Sequence, residues 1–141
     1  MTPALVVRQG REPDLEAVTA IQAESPEAAQ WEPRLYLDYE FRVAVHSSKV
    51  AGFVVVRTLA PGESEILNLA VAREFRRRGV AGALVRSWLH DFGGAVFLEV
   101  RASNQVAQKF YKSLGFQEVT VRREYYSSPP ESGIVMKFHS C

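Results

Sequence analysis

Two side chains suited to proton transfer lie in the second half of this 141-residue chain. Glu99 interrupts the apolar run AVFLEV, and Tyr111 lies on an apolar helical stripe that follows it. A carboxylate can accept a proton and a phenol can donate one, so the pair suits a reaction in which a nucleophile loses a proton and a leaving group gains one. Each residue also has a structural interpretation, because Glu99 can face solvent at a strand edge and Tyr111 can be a core residue.

An arginine-rich turn is a second candidate site. Residues 66–86, ILNLAVAREFRRRGVAGALVR, contain an apolar run, a turn and the start of a helix. Backbone N–H groups at a helix start are unpaired, and the helix dipole adds partial positive charge there. Gly79 and Ala81 let an anion approach these amides closely, so the turn predicts a phosphate site. A solvated basic turn before an ordinary helix is the alternative. The side chains that supply charge are Arg76, Arg77 and Arg78.

Other motifs that would define a function are missing from the sequence. It contains neither a GxxxxGK[ST] loop nor a GxGxxG fingerprint. The only cysteine is Cys141, and the three histidines are scattered without HExxH spacing, so no metal is expected. A net charge of +1 argues against nucleic acid as a partner. Residues 1–42 nevertheless carry 8 acidic and 4 basic side chains, which weakly indicates a cationic partner.

The elements that position these residues follow from hydrophobic periodicity, and their predicted order is βααβββαβαββ. Strands are predicted at residues 4–8, 42–46, 50–58, 65–71, 95–100, 116–125 and 134–138, with a hairpin turn at residues 47–49 and a loop at residues 127–133. Helices are predicted at residues 11–23, 34–39 and 80–92, and from a cap at Ser103 or Asn104 to Gly115. Strands 66–71 and 95–100 each precede an amphipathic helix, which predicts that they run parallel. The expected fold is therefore α/β, with a mixed central sheet and helices on both faces.

Length and composition suit one soluble domain, spanning residues 1–141. No apolar run is long enough to cross a membrane, and the N-terminus lacks the basic and apolar regions of a signal peptide. We expect a cytoplasmic protein with no membrane partner, either a monomer or a weak dimer.

The turn resembles the cofactor loop of the GNAT superfamily of N-acetyltransferases, because Arg76, Gly79 and Ala81 fit the signature [QR]xxGx[GA]. The resemblance implies a GNAT-like single-domain fold that uses acetyl-CoA, with the pyrophosphate held by this loop. Backbone N–H groups of the preceding strand would hold the acetyl carbonyl. The expected cofactor-binding residues are Leu69, Ala70, Val71, Arg76, Arg77, Arg78, Gly79, Val80, Ala81 and Asn104.

A longer resemblance starts at Glu99. Residues 98–116, LEVRASNQVAQKFYKSLGF, closely resemble the segment LEVRxSNxxAxxxYxxxGF of the RimI-type protein N-terminal acetyltransferases, and residues 122–126, RREYY, continue the match. This bacterial branch acetylates the terminal alanine of a small-subunit ribosomal protein. The resemblance implies that Glu99 is the general base and Tyr111 the general acid, and that Asn104 contacts the cofactor. It also implies a protein or peptide N-terminus as acceptor, with a ribosomal protein as one candidate.

The chemistry favours such an acceptor. A nucleophilic amine must be neutral, and an N-terminal α-amine with a pKa of about 7.8 is neutral far more often at pH 7 than a lysine with a pKa of about 10.4. We expect direct attack on the thioester in a ternary complex, because Cys141 has no partner that would activate it for a covalent mechanism. Candidate substrate-binding residues, chosen by position, are Trp31, Glu32 and Tyr125. Trp31 can equally pack a loop.

Three alternatives remain at this point. The acceptor can be a small-molecule amine or a lysine side chain, or the chain can be a non-catalytic CoA-binding module, although the presence of both Glu99 and Tyr111 argues against the latter. An α/β domain without CoA affinity is the third. The chain departs from the RimI pattern before its last strand, where Glu131, Ser132 and Gly133 replace the usual acidic-acidic-alanine step. This difference bears on peptide preference more than on the reaction.

Overall fold

The fold is a seven-stranded sheet with three α-helices, as described by a computed structural model for residues 4–127 and 130–139. The strands are β1 (Leu5–Gln9), β2 (Glu40–His46), β3 (Lys49–Ala60), β4 (Glu63–Val71), β5 (Ala95–Arg101), β6 (Gln117–Ser127) and β7 (Pro130–His139). The helices are α1 (Leu15–Ala23), α2 (Val80–Asp91) and α3 (Gln105–Ser113), with short 3-10 helices at Glu12–Asp14, Pro33–Asp38 and Arg73–Phe75. The strand order in the sheet is β1-β2-β3-β4-β5-β7-β6.

The sheet is mixed, as the sequence predicts. β4 pairs with β5 in parallel, from Glu63 opposite Ala95 to Glu65 opposite Phe97. The β1/β2, β2/β3, β5/β7 and β6/β7 pairs are antiparallel. The expected parallel relation of the two strands that precede the amphipathic helices is therefore confirmed, and so is the mixed α/β class.

The chain clusters into two compact units, and the first comprises residues up to Arg57 together with Ile66–Asp91. Its core combines side chains from β2, β3, α1 and α2 that are fully or almost fully buried. The predicted apolar face of α2 is confirmed, because Leu84, Val85 and Trp88 are buried. The predicted hairpin between β2 and β3 is confirmed as well, and its two turn residues, Ser47 and Ser48, both have positive φ. Two left-handed residues in a two-residue turn match the twist of antiparallel strands.

The second unit comprises Thr58–Glu65 and the chain from Phe92 onward. An aromatic row forms part of its core: the rings of Tyr111 and Phe116 meet edge to face with centroids 5.4 Å apart, and Phe116 meets Phe138 at 5.5 Å. Gly115 has a φ of 103°, and a Cβ at this position would approach the Phe138 ring at 3.0 Å. The glycine therefore ends α3 where an L side chain would be strained and crowded.

Three predicted elements differ in detail from the structure. The short helix expected at residues 34–39 is a 3-10 helix at Pro33–Asp38. The loop expected at residues 127–133 is largely strand, because β6 continues to Ser127 and β7 begins at Pro130. Proline is tolerated as the first residue of a strand, so Pro130 does not prevent pairing. The helix expected from residue 11 to 23 begins as a 3-10 turn at Glu12–Asp14, and regular α-helix starts at Leu15. In the described part of the chain, no helix has the length and apolar character needed to cross a membrane.

Candidate active site

Glu99 lies on β5 in the second unit, with a side chain that is 12% exposed. Its Oε1 accepts a hydrogen bond of 3.0 Å from Nη1 of Arg122 on β6. Its Oε2 is buried and has no hydrogen-bond partner among the residues that the structure describes. The carboxylate is therefore half satisfied by a guanidinium and keeps one oxygen able to accept a proton or a hydrogen bond.

Gly133 makes room for this carboxylate. It pairs with Arg101 of β5 on one side and with Arg122 of β6 on the other, so it occupies the middle strand of the three. A Cβ at residue 133 would overlap Oε2 of Glu99 and lie 2.9 Å from its Cδ. The ion pair of Glu99 with Arg122 thus crosses β7 above a residue that has no side chain. Glu99 and Arg122 both belong to the segments that carry the resemblance, but nothing in their spacing along the sequence indicated that they contact each other.

Tyr111 lies on α3 in the same unit and is 6% exposed. Its ring packs edge to face on Phe110 and Phe116, with centroid distances of 5.0 and 5.4 Å. Burial raises the pKa of the Tyr111 phenol well above its ordinary value, so the group remains protonated across the physiological range. This protonation state is the one that a general acid needs.

The N-terminus of α3 is held by two side chains. Asn104 is the N-cap, and its Oδ1 accepts a hydrogen bond of 3.1 Å from the backbone N–H of Ala107. Glu131 accepts a hydrogen bond of 2.7 Å from the backbone N–H of Ser103 and another of 3.2 Å from Nη1 of Arg101. The side chain and backbone of Ser103 lower the pKa of Glu131. Glu131 therefore fastens the start of β7 to the connection that carries Asn104.

The predicted phosphate turn lies in the first unit, between the 3-10 helix at Arg73–Phe75 and α2. Arg77 and Gly79 have left-handed φ values of 65° and 76°, and a Cβ at Gly79 would meet nothing within 4 Å. The first turn of α2 closes with the N–H of Ala83 donating to the carbonyl of Gly79 at 3.0 Å. Left-handed residues ahead of a helix make an open concave backbone whose N–H groups suit an anion.

The three arginines of this turn are not equivalent. Arg76 donates from Nη2 to the carbonyl of Glu24 at 3.2 Å and to Oγ of Ser25 at 3.1 Å, and from Nε to the carbonyl of Val71 at 3.2 Å. Its guanidinium therefore links the end of α1 to the end of β4. The guanidinium of Arg78 lies 5.9 Å from the centroid of the Phe75 ring. The sequence indicated charge at all three positions but not this division of contacts.

Strand β4 carries the expected carbonyl-binding residues Leu69, Ala70 and Val71. The backbone N–H of Leu69 donates to Oδ1 of Asn68 at 3.0 Å, so in this structure that N–H already has a partner. Asn68 is 5% exposed and lies on the buried face of the strand. It was not selected as a site residue from the sequence, because it is a single amide within an apolar run. Strand alternation is the signal that could have found it.

Two of the three acceptor-side candidates, Trp31 and Glu32, lie in a loop of the first unit. We define the acceptor loop as residues 24–32, between α1 and the 3-10 helix at Pro33–Asp38. Trp31 is 41% exposed, and its backbone carbonyl accepts a hydrogen bond of 2.6 Å from Nε2 of Gln22. Glu32 is also exposed. Tyr125 falls in β6, and its side chain lies outside what the structure describes. Around the described residues, no group of three His, Cys, Asp or Glu side chains is arranged to hold a metal ion.

Similarity to a known protein family defines the class to which this chain belongs. The family model described as "Acetyltransferase (GNAT) family" matches residues 9–116, and the chain belongs to this family of acetyltransferases.

More particular relatives include proteins named as N-acetyltransferases. The [ribosomal protein bS18]-alanine N-acetyltransferase of Escherichia coli K12 is 33% identical over 107 residues, covering 72% of this chain and 70% of that protein. The crystal structure of the E. coli ribosomal-protein-S18-alanine N-acetyltransferase has a TM-score of 0.83 at 27% identity, over 98% of this chain and 96% of that one. Ard1 from Thermoplasma volcanium has a TM-score of 0.87 at 31% identity, over 98% and 99% of the two chains.

Proposed function

We propose that this chain transfers the acetyl group of acetyl-CoA to the α-amine of a protein or peptide N-terminus. The observation that carries the proposal is the similarity, across nearly three quarters of the chain, to an E. coli enzyme named for a protein alanine as its acceptor. The N-terminal α-amine also suits the chemistry, because it is neutral near pH 7 far more often than a lysine side chain. A ribosomal protein remains one candidate acceptor.

Acetyl-CoA would supply an activated thioester, and the turn at residues 76–81 fits its pyrophosphate. The left-handed residues Arg77 and Gly79 leave the start of α2 open to an anion. Arg77 and Arg78 are exposed and can add charge-assisted hydrogen bonds, whereas Arg76 contributes chiefly by holding β4 to α1. The backbone of β4 at Leu69–Val71 and the side chain of Asn104 complete the proposed cofactor contacts.

Glu99 and Tyr111 carry the proposed proton transfers. Oε2 of Glu99, which has no hydrogen-bond partner among residues 4–127 and 130–139, accepts the proton that the attacking amine loses, directly or through water, while Oε1 stays on Arg122. Tyr111 is kept protonated by burial and donates to the departing thiolate. Trp31, Glu32 and Tyr125 are the proposed contacts to the acceptor peptide.

The test is release of CoA thiol from acetyl-CoA in the presence of short peptides that begin with alanine, serine or methionine. The matched control uses the same peptides blocked at the N-terminus but containing a lysine. We expect turnover only with free N-termini, and a loss of about 10²-fold or more in Glu99→Gln and Tyr111→Phe. Turnover of the blocked lysine peptides, or of small amines alone, would replace the proposed acceptor.

A further inference from the structure

Three buried polar side chains of the first unit satisfy one another in a cluster. Gln22 from α1, Tyr36 from the 3-10 helix and Asn68 from β4 are 6%, 0% and 5% exposed. The Tyr36 hydroxyl donates to Oε1 of Gln22 at 2.5 Å, and Nδ2 of Asn68 donates to the Tyr36 hydroxyl at 3.0 Å. Buried polar groups are costly unless they are paired, so a satisfied cluster of this kind fixes the relative positions of the elements that supply it.

Asn68 extends this cluster to the backbone of the acceptor loop. Its Oδ1 accepts from the N–H of Ala29 at 3.2 Å, and its Nδ2 donates to the carbonyl of Ala29 at 2.9 Å. The side-chain amide thus pairs with both backbone groups of one loop residue, as a neighbouring strand would. Two residues further on, the carbonyl of Trp31 is held by Gln22.

The acceptor loop has no regular secondary structure of its own, so its conformation depends on these side-chain contacts. Ser25 near its start contacts Arg76, and Ala29 and Trp31 near its end contact Asn68 and Gln22. Asn68 also accepts the N–H of Leu69 on the strand proposed to hold the acetyl group. One side chain therefore joins the loop proposed to receive the peptide to the strand proposed to receive the acetyl group.

We propose that Asn68 is a positioning residue that fixes the acceptor loop and thereby sets the affinity for the acceptor peptide. This inference rests on the proposed function, because it assigns the loop to the peptide. Asn68 acts on the loop directly at Ala29, and at Trp31 through Gln22. Its contact with the residues proposed to hold acetyl-CoA is one hydrogen bond from the N–H of Leu69, and none of its described contacts is with the turn at residues 76–81. Loss of the amide therefore weakens peptide binding and leaves acetyl-CoA binding in place.

The test uses two variants that break the same contact from opposite sides. Asn68→Ala removes the amide from the strand. Ala29→Pro removes the N–H from the loop and leaves the buried cluster intact, so it provides the test even if Asn68→Ala fails to fold. We expect each to raise KM for the peptide about tenfold, with the dissociation constant of acetyl-CoA, measured by calorimetry, within about twofold of the original. Asp14→Asn, which weakens partly buried hydrogen bonds next to the start of α1, is the matched control for a general loss of stability.

A second measurement does not depend on turnover. In a Trp88→Phe background, Trp31 is the only tryptophan, and its quenching by acrylamide reports how firmly the loop is held. We expect stronger quenching in Asn68→Ala and Ala29→Pro than in the background protein. Unchanged quenching and unchanged peptide KM would overturn the inference, and so would an equal loss of acetyl-CoA affinity. Stronger quenching in a protein that turns over no peptide would uphold the loop contact and reject the proposed function instead.

Discussion

The carboxylate of Glu99 reaches from β5 across β7 to Arg122 on β6. The middle strand contributes Gly133 at the crossing point, where a Cβ would overlap Oε2 of Glu99, the carboxylate oxygen with no hydrogen-bond partner in the described part of the chain. The clash would fall on the tip of the Glu99 side chain, which can rotate away, so a larger residue would displace the carboxylate without unfolding the sheet. A glycine in a strand often marks such a close approach.

We therefore expect Gly133→Ala to lower kcat/KM for the peptide by about 10- to 100-fold, because small displacements of a reacting group are costly to catalysis. The melting temperature should change by only a few degrees. Steady-state kinetics and thermal unfolding measure the two effects. Gly93→Ala is the matched control, because a Cβ at that glycine would meet nothing within 4 Å. Unchanged kinetics in Gly133→Ala would show that the position of Glu99 does not depend on this glycine.

Tyr111 gives a prediction about pH. Burial raises the pKa of its phenol, so the proton needed for the acid role is lost only at a pH above the ordinary tyrosine value of about 10. The acceptor α-amine gains reactivity as pH rises through about 7.8. We expect kcat/KM to rise through this region and then stay level to about pH 9.5. Tyr111→Phe should lower the plateau by about 10²-fold without moving the rising limb.

The matched control for Tyr111 is Tyr39→Phe, since Tyr39 is 41% exposed. It should leave the whole profile unchanged. A fall in kcat/KM below pH 9 that disappears in Tyr111→Phe would mean that the phenol loses its proton too early for the assigned role.

The ion pair of Arg8 and Asp14 links β1 to the start of α1. Asp14 accepts two hydrogen bonds of 2.9 Å from the Arg8 guanidinium and one of 2.8 Å from the backbone N–H of Arg11. The hydrogen bonds from Arg8 lower the pKa of Asp14 below its ordinary value. Such a carboxylate stabilises the fold above the unfolded pKa of about 3.9, and this stability is lost as pH falls through the lower folded pKa.

We expect Asp14→Asn to lower the free energy of unfolding by about 1–2 kcal/mol at pH 7. The difference from the original protein should shrink as pH falls from about 5 toward 2, because protonation removes the same interaction from the original. Urea unfolding at several pH values measures this. Asp38→Asn, at an exposed position in the 3-10 helix, should show no comparable convergence. A constant difference at all pH values would mean that the Asp14 charge does not stabilise the junction.

The sequence predicted the seven strands and the three α-helices in their observed order because their apolar periodicities are strong. It misplaced the elements whose geometry depends on tertiary pairing. The prolines and the glycine of residues 127–133 predicted a loop. In the structure, Pro130 begins β7, and Gly133 lies within that strand next to the carboxylate of Glu99. Local composition favoured a turn, whereas pairing with β5 and β6 decided the outcome.

The candidate site shows the same division. Glu99, Tyr111 and the phosphate turn could be predicted as candidate site residues because a charge in an apolar strand, a motif and a glycine-containing turn are local signals. Asn68 and Arg122 were missed as site residues because their importance lies in contacts between residues far apart in the chain, from Asn68 to Ala29 and from Arg122 to Glu99. Spacing along one sequence does not encode such pairs.

For the molecule as a whole, residues 1–141 are proposed to fold as a single domain, although the chain clusters into two compact units. β3 and β4 each contribute residues to both units, so neither unit would keep all its strands if the other unfolded. We therefore expect one calorimetric transition, with equal calorimetric and van't Hoff enthalpies.

Acetyl-CoA should raise the temperature of that whole transition. A ligand at 100 times its dissociation constant stabilises the folded state by about 2.7 kcal/mol. For a chain of this length, that corresponds to an increase of about 6–10 °C. Acetyl-pantetheine lacks the pyrophosphate and should give a much smaller shift at equal concentration, because the turn at residues 76–81 would hold nothing. Equal shifts with both ligands would show that the turn does not bind the pyrophosphate. A second transition whose temperature does not change with ligand would show that one unit unfolds independently of acetyl-CoA binding.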